Sequence, residues 1–209
     1  MTPRSRIFLF LALLPGFAAA AGNIESGEAL YKTCIACHGA NAEGNAALLS
    51  PGLAGQSESY MIRQLWDFKN GKRGTQEGDV AGAQMRPMAA VLADGQAIAD
   101  VAAYLASLPP NKPPATIEGD AENGQKQFTS KCGACHGGKG WGNEALYTPR
   151  LTVVGDTYLV RQVKNFQTGV RGAHKEAKYG QQMKMMSILV TDQELNDIAA
   201  FLNAQAAEE

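Results

Sequence analysis

The sequence has almost no excess of charge of either sign, and it has no long apolar run beyond its first residues. Its 19 basic and 20 acidic side chains leave a formal net charge of −1, which argues against non-specific binding to nucleic acid. A membrane-spanning helix needs about 20 apolar residues, and no segment after the N-terminal one meets that requirement. The sequence therefore predicts neither a nucleic-acid-binding protein nor an integral membrane protein.

The first 21 residues have the features of a cleaved signal peptide. Arg4 and Arg6 form a short positive region, residues 7–14 form an apolar run, and the alanines at 18–21 supply the small residues that signal peptidase requires. The competing interpretation is a membrane anchor, for which the apolar run is too short. We therefore expect a segment 1–21 that is removed on export and a mature protein that is soluble and periplasmic.

The rest of the chain is an internal duplication. Residues from about 24 to 108 recur at about 118 to 206, and most matched positions lie 98 residues apart. Two copies indicate two domains, because a solenoid needs more repeats. Between the copies lies a short stretch rich in proline. We predict an all-α protein with a first domain at 22–108, a Pro-rich linker at 109–116 and a second domain at 117–209.

Each copy has the apolar spacing of three helices. The first helix is predicted to end in a cysteine motif, and the middle one to run from Tyr60 to Asn70. The last begins near Asp94, or near Thr191 in the second copy, where Thr191 and Glu194 have capping-box spacing. Loops rich in glycine and proline are expected between the helices. Such a thin core needs something large and apolar at its centre.

Each copy also contains one Cys-x-x-Cys-His motif, which is the attachment signature of c-type haem. Two thiols three positions apart can form thioethers with the two vinyl groups of one porphyrin. The next residue then presents its imidazole to the iron. We therefore predict two covalently bound haems c. The covalent residues are Cys34, Cys37, Cys132 and Cys135, and the proximal iron ligands are His38 and His136.

Three other interpretations of the four cysteines compete with haem attachment. A structural zinc site would leave out both motif histidines and would bridge two copies that look independent. A thioredoxin-like redox pair needs a strand-rich context that the sequence lacks. Cys-x-x-Cys is also an unusual place for a structural disulfide, although exported proteins often contain disulfides. Two matched motifs in one exported repeat favour haem.

The scarcity of histidine limits the choice of the second iron ligand. The chain has three histidines, so a second histidine at both haems is impossible. Met85 and Met183 each lie 47 residues after the haem histidine of their own copy. A thioether is a soft neutral donor that raises the haem potential, and we predict these two methionines as the second ligands. The competing candidates are Met88 and Met186, which also match, the unmatched Met185, and His174.

Other repeated residues are candidates for supporting roles around the haems. Pro51 and Pro149 each lie 13 residues after a haem histidine, and a carbonyl from either loop could orient that histidine through its second ring nitrogen. Haem propionates are anionic and need hydrogen-bond donors. The candidate donors are Arg73, Arg171, Tyr60, Tyr158, Gln64, Gln162 and Trp66.

The tandem of Cys-x-x-Cys-His, Pro-x-Leu, Tyr-x-x-x-Gln, Gly-x-Arg and Met-x-x-Met motifs resembles the dihaem cytochrome c4 family over nearly all of the mature chain. The resemblance implies two class I cytochrome c folds whose haems approach each other through their propionates. It also implies axial ligation of the first iron by His38 and Met85 and of the second by His136 and Met183. One departure is the loop 151–155, Leu-Thr-Val-Val-Gly, where the first copy has Leu53-Ala54-Gly55.

The resemblance further implies an electron carrier, not an enzyme, that serves redox protein partners in the periplasm, free or peripheral to the membrane. Electrons would pass from a quinol-oxidising complex to a terminal oxidase. The alternative is a dihaem subunit of a dehydrogenase such as a sulfide-oxidising flavocytochrome. A dihaem peroxidase is a weaker alternative, because it needs an open iron position that methionine would fill.

The two copies differ in charge. Residues 22–109 carry 6 basic and 9 acidic side chains, a net charge of −3, whereas residues 110–209 carry 11 of each, a net charge of zero. The second copy concentrates basic residues before Met183, among them Lys175 and Lys178. This pattern predicts a positive end near the second haem, where an anionic partner would dock.

Overall fold

The computed structural model describes residues 21–207. The predicted signal peptide therefore lies outside the described residues, apart from Ala21. Within that range the regular structure is helical, and its β-pairing is restricted to two isolated bridges, Asn45 with Ser50 and Asn143 with Thr148. The bridges stand at matching places in the two copies. The described chain is therefore all-α, as the sequence predicts.

Each copy contains five helices and one short 3₁₀ turn in the same order. The first copy has α1 (Ile24–Tyr31), α2 (Ile35–His38), the 3₁₀ turn Ala46–Leu48, α3 (Glu58–Lys69), α4 (Val80–Ala90) and α5 (Gly95–Ser107). The second has α6 (Ala121–Lys131), α7 (Gly133–His136), the 3₁₀ turn Glu144–Leu146, α8 (Asp156–Thr168), α9 (Lys178–Ser187) and α10 (Asp192–Ala207). Residues 108–120 connect the two sets without helix.

The predicted middle and last helices are confirmed, with ends set by local capping. α3 begins after Ser57, whose hydroxyl accepts a hydrogen bond from the Tyr60 N–H at 3.3 Å. Ahead of α10, the Thr191 N–H donates to the Glu194 carboxylate at 2.9 Å and the Glu194 N–H donates to the Thr191 hydroxyl at 3.3 Å. This reciprocal pair is the predicted capping box. α8 ends at Gly169, which adopts a φ of +79°.

Two expectations about the helices are wrong. The cysteine motif does not end the first helix, because α1 stops at Tyr31 and the motif forms a separate turn, α2. The segments predicted as loops before the last helices contain α4 and α9, which carry the candidate methionines. α4 includes Gly82 and Pro87, both unfavourable inside a helix. Its start is stabilised by Asp79, whose carboxylate accepts from the Gly82 N–H at 3.0 Å.

The first and last helices of each copy cross at very short range. A Cβ atom on Gly27 would lie 2.0 Å from the Asp100 carbonyl oxygen, and one on Gly124 would lie 1.9 Å from that of Asp197. Only glycine allows this approach. The carboxylates of the same aspartates accept hydrogen bonds from backbone N–H groups that precede the crossing helix, those of Asn23 at 2.7 Å and Asp120 at 2.9 Å. Each crossing is thus fixed by a close contact and a polar anchor.

Each copy has its own apolar core beside its helix crossing. The largest buried members of the first core are Tyr31, Met61, Phe68, Ile98, Val101 and Leu105. Those of the second are Phe128, Val153, Leu159, Leu195, Ile198, Phe201 and Leu202. Among the described residues no single helix is long and apolar enough to cross a membrane. Of the described helices, only the pair Val80–Ala90 and Gly95–Ser107 has the length and composition of a membrane span, and the two helices are bent by 116° relative to each other.

Asp156 anchors the end of the connecting segment to the second core. Its carboxylate accepts hydrogen bonds from the Thr116 N–H at 2.6 Å, the Ile117 N–H at 2.9 Å and the Asn203 amide at 3.0 Å. Burial acts to raise the pKa of Asp156, but the hydrogen bonds from Thr116 and Asn203 outweigh it and hold the pKa below its usual value. The charged carboxylate is therefore the stabilising form.

Replacing Asp156 by alanine should lower the free energy of unfolding by about 2 kcal/mol at pH 7, because hydrogen bonds to a charged acceptor are lost. Folding lowers the pKa of the Asp156 carboxyl. The carboxylate therefore contributes its full share to the free energy of unfolding above the ordinary pKa of about 3.9, and that share is lost as the pH falls through the lower pKa of the folded protein. Denaturant unfolding at several pH values would measure this.

The matched control is Asp192→Ala, which removes an exposed carboxylate paired with Lys164 on the surface. Its effect should be below about 1 kcal/mol. Equal stability of the Asp156→Ala variant and the unchanged protein at pH 7 would contradict the anchoring role.

Candidate haem-binding sites

Each copy encloses a cavity lined by its own cysteine motif. The cavity of the second copy has a volume of about 630 Å³ and is lined by Cys132, Cys135 and His136. That of the first copy has a volume of about 140 Å³ and is lined by Cys34, Cys37 and His38. Both cavities also include side chains of the other copy, so the two sites meet at the contact between the copies.

Both motif histidines are buried and hydrogen-bonded to a proline carbonyl. His38 Nδ1 lies 3.0 Å from the Pro51 oxygen, and His136 Nδ1 lies 3.4 Å from the Pro149 oxygen. A carbonyl can only accept, so Nδ1 carries the proton and Nε2 keeps a free lone pair for a metal. Burial lowers the pKa of each histidine, and the proline carbonyl acts in the opposite direction. The predicted role of the two prolines in orienting the histidines is confirmed.

The motif turns bring the cysteines and histidines together on one side of each cavity. The His38 N–H donates to the Cys34 carbonyl at 3.0 Å, and the His136 N–H donates to the Cys132 carbonyl at 3.0 Å. Burial raises the pKa of both cysteines, that of Cys132 to about 11. The second cysteine of each motif is exposed. Each motif therefore offers one inner and one outer thiol for a single large ligand.

The geometry disfavours zinc and disulfides. All four cysteines are free thiols, and the two pairs line different cavities. Over residues 21–207 no group of three or more His, Cys, Asp and Glu side chains is arranged to hold a metal ion. A shared four-cysteine site would require the two cavities to merge.

The candidate methionines lie in the helices that the sequence did not predict. Met85 in α4 lines the first cavity and Met183 in α9 lines the second, and both are half-buried. Met88 and Met186 also line the cavities but are 38% and 42% exposed, and Met185 is 63% exposed. This favours the first methionine of each Met-x-x-Met pair.

His174 lies apart from the second cavity. It is not among the residues that line that cavity. Its Nδ1 accepts a hydrogen bond from the Glu176 N–H at 3.2 Å, and its carbonyl accepts one from the Gln181 side chain at 3.1 Å. These contacts describe a loop residue rather than a metal ligand.

Two arginines of like charge meet where the copies touch. Arg73 donates to Gln64 Oε1 at 2.5 Å, to Gln162 Oε1 at 3.1 Å and to the Tyr158 hydroxyl at 2.9 Å. Arg171 donates to the same two glutamine oxygens, at 2.6 Å and 2.8 Å, and its Nη2 lies 3.3 Å from the hydroxyl of Tyr60. The repeat therefore continues as an approximately two-fold network across the interface.

The network has an excess of positive charge that fits an anionic ligand. All of the partners just named are neutral, and the Nε of Arg73 is buried without a hydrogen-bond partner. Burial acts to raise the pKa of Tyr60, but the charges of Arg171 and Arg73 outweigh it and lower that pKa to about 8. Carboxylates such as haem propionates would compensate these charges. Together with the apolar cavities, the paired thiols and the neutral imidazoles, the residues present fit a haem in each copy.

Trp66 does not join the other candidate donors. It packs against the first core, with its ring 3.4 Å from the position of a Cβ atom on Gly95, and it lines neither cavity. The reason is its position on α3, where it faces the interior of the copy rather than the interface.

The second cavity has an aromatic wall that was not predicted from the sequence. The rings of Tyr147 and Tyr179 lie 5.6 Å apart, and the Arg63 guanidinium lies 4.7 Å from the Tyr179 ring. The matching positions of the first copy are Leu49 and Ala81. Both tyrosines line the second cavity. The signal available in the sequence was this break in the repeat at two positions that are otherwise within a matched region.

Comparison with known proteins identifies two copies of one family in the chain. The family model described as Cytochrome c matches residues 24–109 and again residues 121–206. The two matches coincide with the two sets of helices and leave the connecting segment between them.

Several relatives match most or all of the tandem. The chain is 31% identical to cytochrome c4 of Pseudomonas aeruginosa over 204 residues, which cover 94% of this chain and 96% of that one. It is 32% identical to a thiosulfate dehydrogenase electron acceptor of Stutzerimonas stutzeri, covering 80% and 76%. The crystal structure of reduced recombinant cytochrome c4 from Pseudomonas stutzeri superposes with a TM-score of 0.67 at 26% identity, covering 88% of this chain and 98% of that one.

Purified protein should contain two haems per chain that stay attached after unfolding, because thioether bonds survive denaturation. A pyridine haemochrome assay against protein mass would count them. The Cys132→Ser and Cys135→Ser double variant should retain one haem, with Thr33→Ser as a control beside the intact first motif. Extraction of the colour into acid acetone would contradict covalent attachment.

Replacing Met183 by alanine should remove the weak red charge-transfer band of one ferric haem and lower its potential, because a soft thioether ligand is lost. Ferric absorption spectra and a redox titration would measure both effects. Met186→Ala is the matched control and should preserve the band. If Met186→Ala removes the band and Met183→Ala preserves it, the iron ligand is Met186, one turn further along α9.

Proposed function

The chain belongs to the cytochrome c family, as a tandem of two such domains, and we propose that it carries single electrons between a quinol-oxidising complex and a terminal oxidase in the periplasm. It is an electron carrier rather than an enzyme, and it binds two haems c covalently, as cytochromes c4 do. The proposed division of the chain is a leader at 1–21, domains at 22–108 and 117–209, and a linker at 109–116.

One observation carries the proposal. Each cavity is lined by a Cys-x-x-Cys-His turn on one side and by a methionine of the neighbouring helix on another, Met85 or Met183. An iron that takes both a histidine and a methionine has no position left for a substrate. A six-coordinate haem supplies one-electron chemistry at nearly constant geometry. This arrangement supports outer-sphere electron transfer and counts against a peroxidase.

The chain's own residues have three tasks in this proposal. The cysteines of each motif anchor the porphyrin, and His38 and His136 bind the irons through Nε2. The Pro51 and Pro149 carbonyls hold the protons on Nδ1, which keeps each imidazole in one tautomer. The arginine network between the copies would compensate the negative charge of the propionates.

The exposed surface of the second copy supports a docking role. Met185, Met186, Ile188 and Leu189 form an apolar group with exposures of 42–67%, at the end of the helix that lines the second cavity. The exposed Lys175 and Lys178 precede this helix or begin it. A small apolar patch beside basic side chains suits transient contact with an acidic redox partner.

A second candidate is a dedicated acceptor for one dehydrogenase. The relative from Stutzerimonas stutzeri is named as the electron acceptor of a thiosulfate dehydrogenase. The same haem sites and the same docking surface would serve that role. Purification of the native protein separates the two candidates, because a dedicated subunit should accompany its dehydrogenase whereas a carrier should elute alone.

Periplasmic location is part of the proposal. It is supported by the predicted signal peptide at 1–21 and by the chemistry of the motif, because covalent haem attachment through thiols belongs to exported proteins. Fractionation of cells would test it: the haem-stained band should appear in the periplasmic fraction about 20 residues shorter than the full chain.

Reversing the charges of Lys175 and Lys178 to glutamate should slow electron transfer with an acidic partner about tenfold at low ionic strength, because steering acts on the association rate. The difference should fade as the Debye length falls to about 3 Å at 1 M salt. Stopped-flow mixing with the quinol-oxidising complex or the oxidase would measure the second-order rate constant.

The control is the reversal of Lys112 and Lys126, which makes the same change in net charge at exposed positions that line neither cavity. If both double variants slow the reaction equally, docking does not depend on the surface around Lys175 and Lys178.

A further inference from the structure

A buried glutamine of the first copy reaches the loop that holds the histidine of the second copy. Gln56 is 1% exposed and lies just before α3. Its Oε1 accepts a hydrogen bond from the Arg150 N–H at 2.7 Å, and its Nε2 donates to the Arg150 carbonyl at 2.9 Å. Both backbone groups of Arg150 are thus bound by one side chain from the other copy.

The orientation of the Gln56 amide follows from its partners. Oε1 also accepts from the Ser57 N–H at 2.9 Å. Two N–H donors at one end and a carbonyl acceptor at the other are satisfied only when the oxygen faces the donors and the NH₂ group faces the carbonyl. The side-chain oxygen of Gln56 is therefore the atom that faces the Arg150 N–H.

The Arg150 N–H belongs to the same peptide group as the Pro149 carbonyl. That carbonyl oxygen lies 3.4 Å from His136 Nδ1. The peptide group is planar and conjugated, so a hydrogen bond donated by its N–H makes its carbonyl a better acceptor. We propose that Gln56 is a positioning residue for the second haem, which holds and polarises the Pro149 carbonyl through this shared peptide group.

The relay runs from the first copy to the second, and the matching side chain of the second copy cannot repeat it. The position 98 residues after Gln56 is Val154, whose side chain has no hydrogen-bonding atom. The residue that matches Arg150 is Gly52, and a Cβ atom there would lie 2.2 Å from the Val153 carbonyl oxygen. The second copy thus meets the first histidine loop by close backbone packing.

The relay should act on the redox potential of one haem. A stronger hydrogen bond to Nδ1–H makes the imidazole a stronger donor, and a stronger donor favours ferric over ferrous iron. Gln56 therefore lowers the potential of the second haem through the relay. Because Gln56 also lines the first cavity, the relay predicts the direction of the shift at the second haem alone. The inference rests on the proposed role of His136 as an iron ligand.

The first test is a redox titration of the holoprotein with Gln56→Met, which keeps the length of the side chain but removes both hydrogen bonds. The potential of the second haem should rise. The matched control is Asn111→Ala, which removes another amide between the copies, bonded to the Glu43 and Val153 carbonyls at 2.8 Å and 3.1 Å. Unchanged potentials in Gln56→Met, or equal shifts in both variants, would overturn the relay.

The second test uses the three histidines of the chain as probes. In ferrous protein labelled with ¹⁵N-histidine, Gln56→Met should move the Nδ1–H resonance of His136 upfield and leave that of His38 in place, each assigned by its proximity to Pro149 or Pro51. An unmoved His136 signal would overturn the proposal. In unsubstituted protein the Nδ1–H of His136 and the Arg150 amide should both be protected from exchange, and rapid exchange of either would refute the relay without any variant.

These readouts separate the relay from the function on which it rests. If His136 is not an iron ligand, its Nε2 will titrate or carry a proton in the ferrous spectrum, and the haem assignment itself fails. If His136 is a ligand and only the Gln56 effect is absent, the proposed electron-transfer function is retained and the Gln56 relay is refuted.

Discussion

Two arginines of like charge, Arg73 and Arg171, share the same pair of glutamine oxygens where the copies meet. Their hydrogen-bond partners are neutral, and Arg73 Nε has no partner. The nearby carboxylates of Asp67 and Asp79 offset only part of the charge, since Asp67 is also paired with Arg63, and holding two cations this close is unfavourable unless further anions lie among them. Haem propionates are anions, and Arg73 lines both cavities while Arg171 lines the second. The contact between the copies and the placement of the two cofactors therefore depend on one electrostatic requirement, and each site is completed by a residue from the other copy.

The parts of the site that are local in sequence could be predicted from it. The thiols and the imidazole of each motif lie within five residues, so their spacing alone specifies one porphyrin per motif. Met85 and Met183 were predicted as ligands through the repeat, which also matches Met88 and Met186; the lower exposure of Met85 and Met183 favours them. The helices that carry them were missed. α4 contains Pro87 and Gly82, whose local preferences oppose a helix, and packing against the cavity wall overrides those preferences.

The contacts between the copies could not be predicted, because no pattern within one copy specifies how it meets the other. Gln56 and Arg150 are 94 residues apart, and nothing in their local sequence links them. Trp66 shows the same limit, since the spacing that places it on α3 does not say which neighbour that face meets. What the sequence did contain was a set of breaks in the repeat, at Tyr147, Tyr179 and Val154. Each break marks a place where the copies differ in their surroundings.

Because the two haems have the same proposed ligands, any difference between their potentials must come from those surroundings. Basic side chains near the second cavity stabilise the ferrous form, which carries less positive charge, and so raise the potential. The Gln56 relay acts in the opposite direction by strengthening the His136 donor. The two effects also differ in range: Lys175 and Lys178 are exposed and screened by salt, whereas Gln56 is buried and acts through bonds. The buried relay therefore contributes to the part of the difference that does not depend on ionic strength, and the exposed lysines are free to serve the partner.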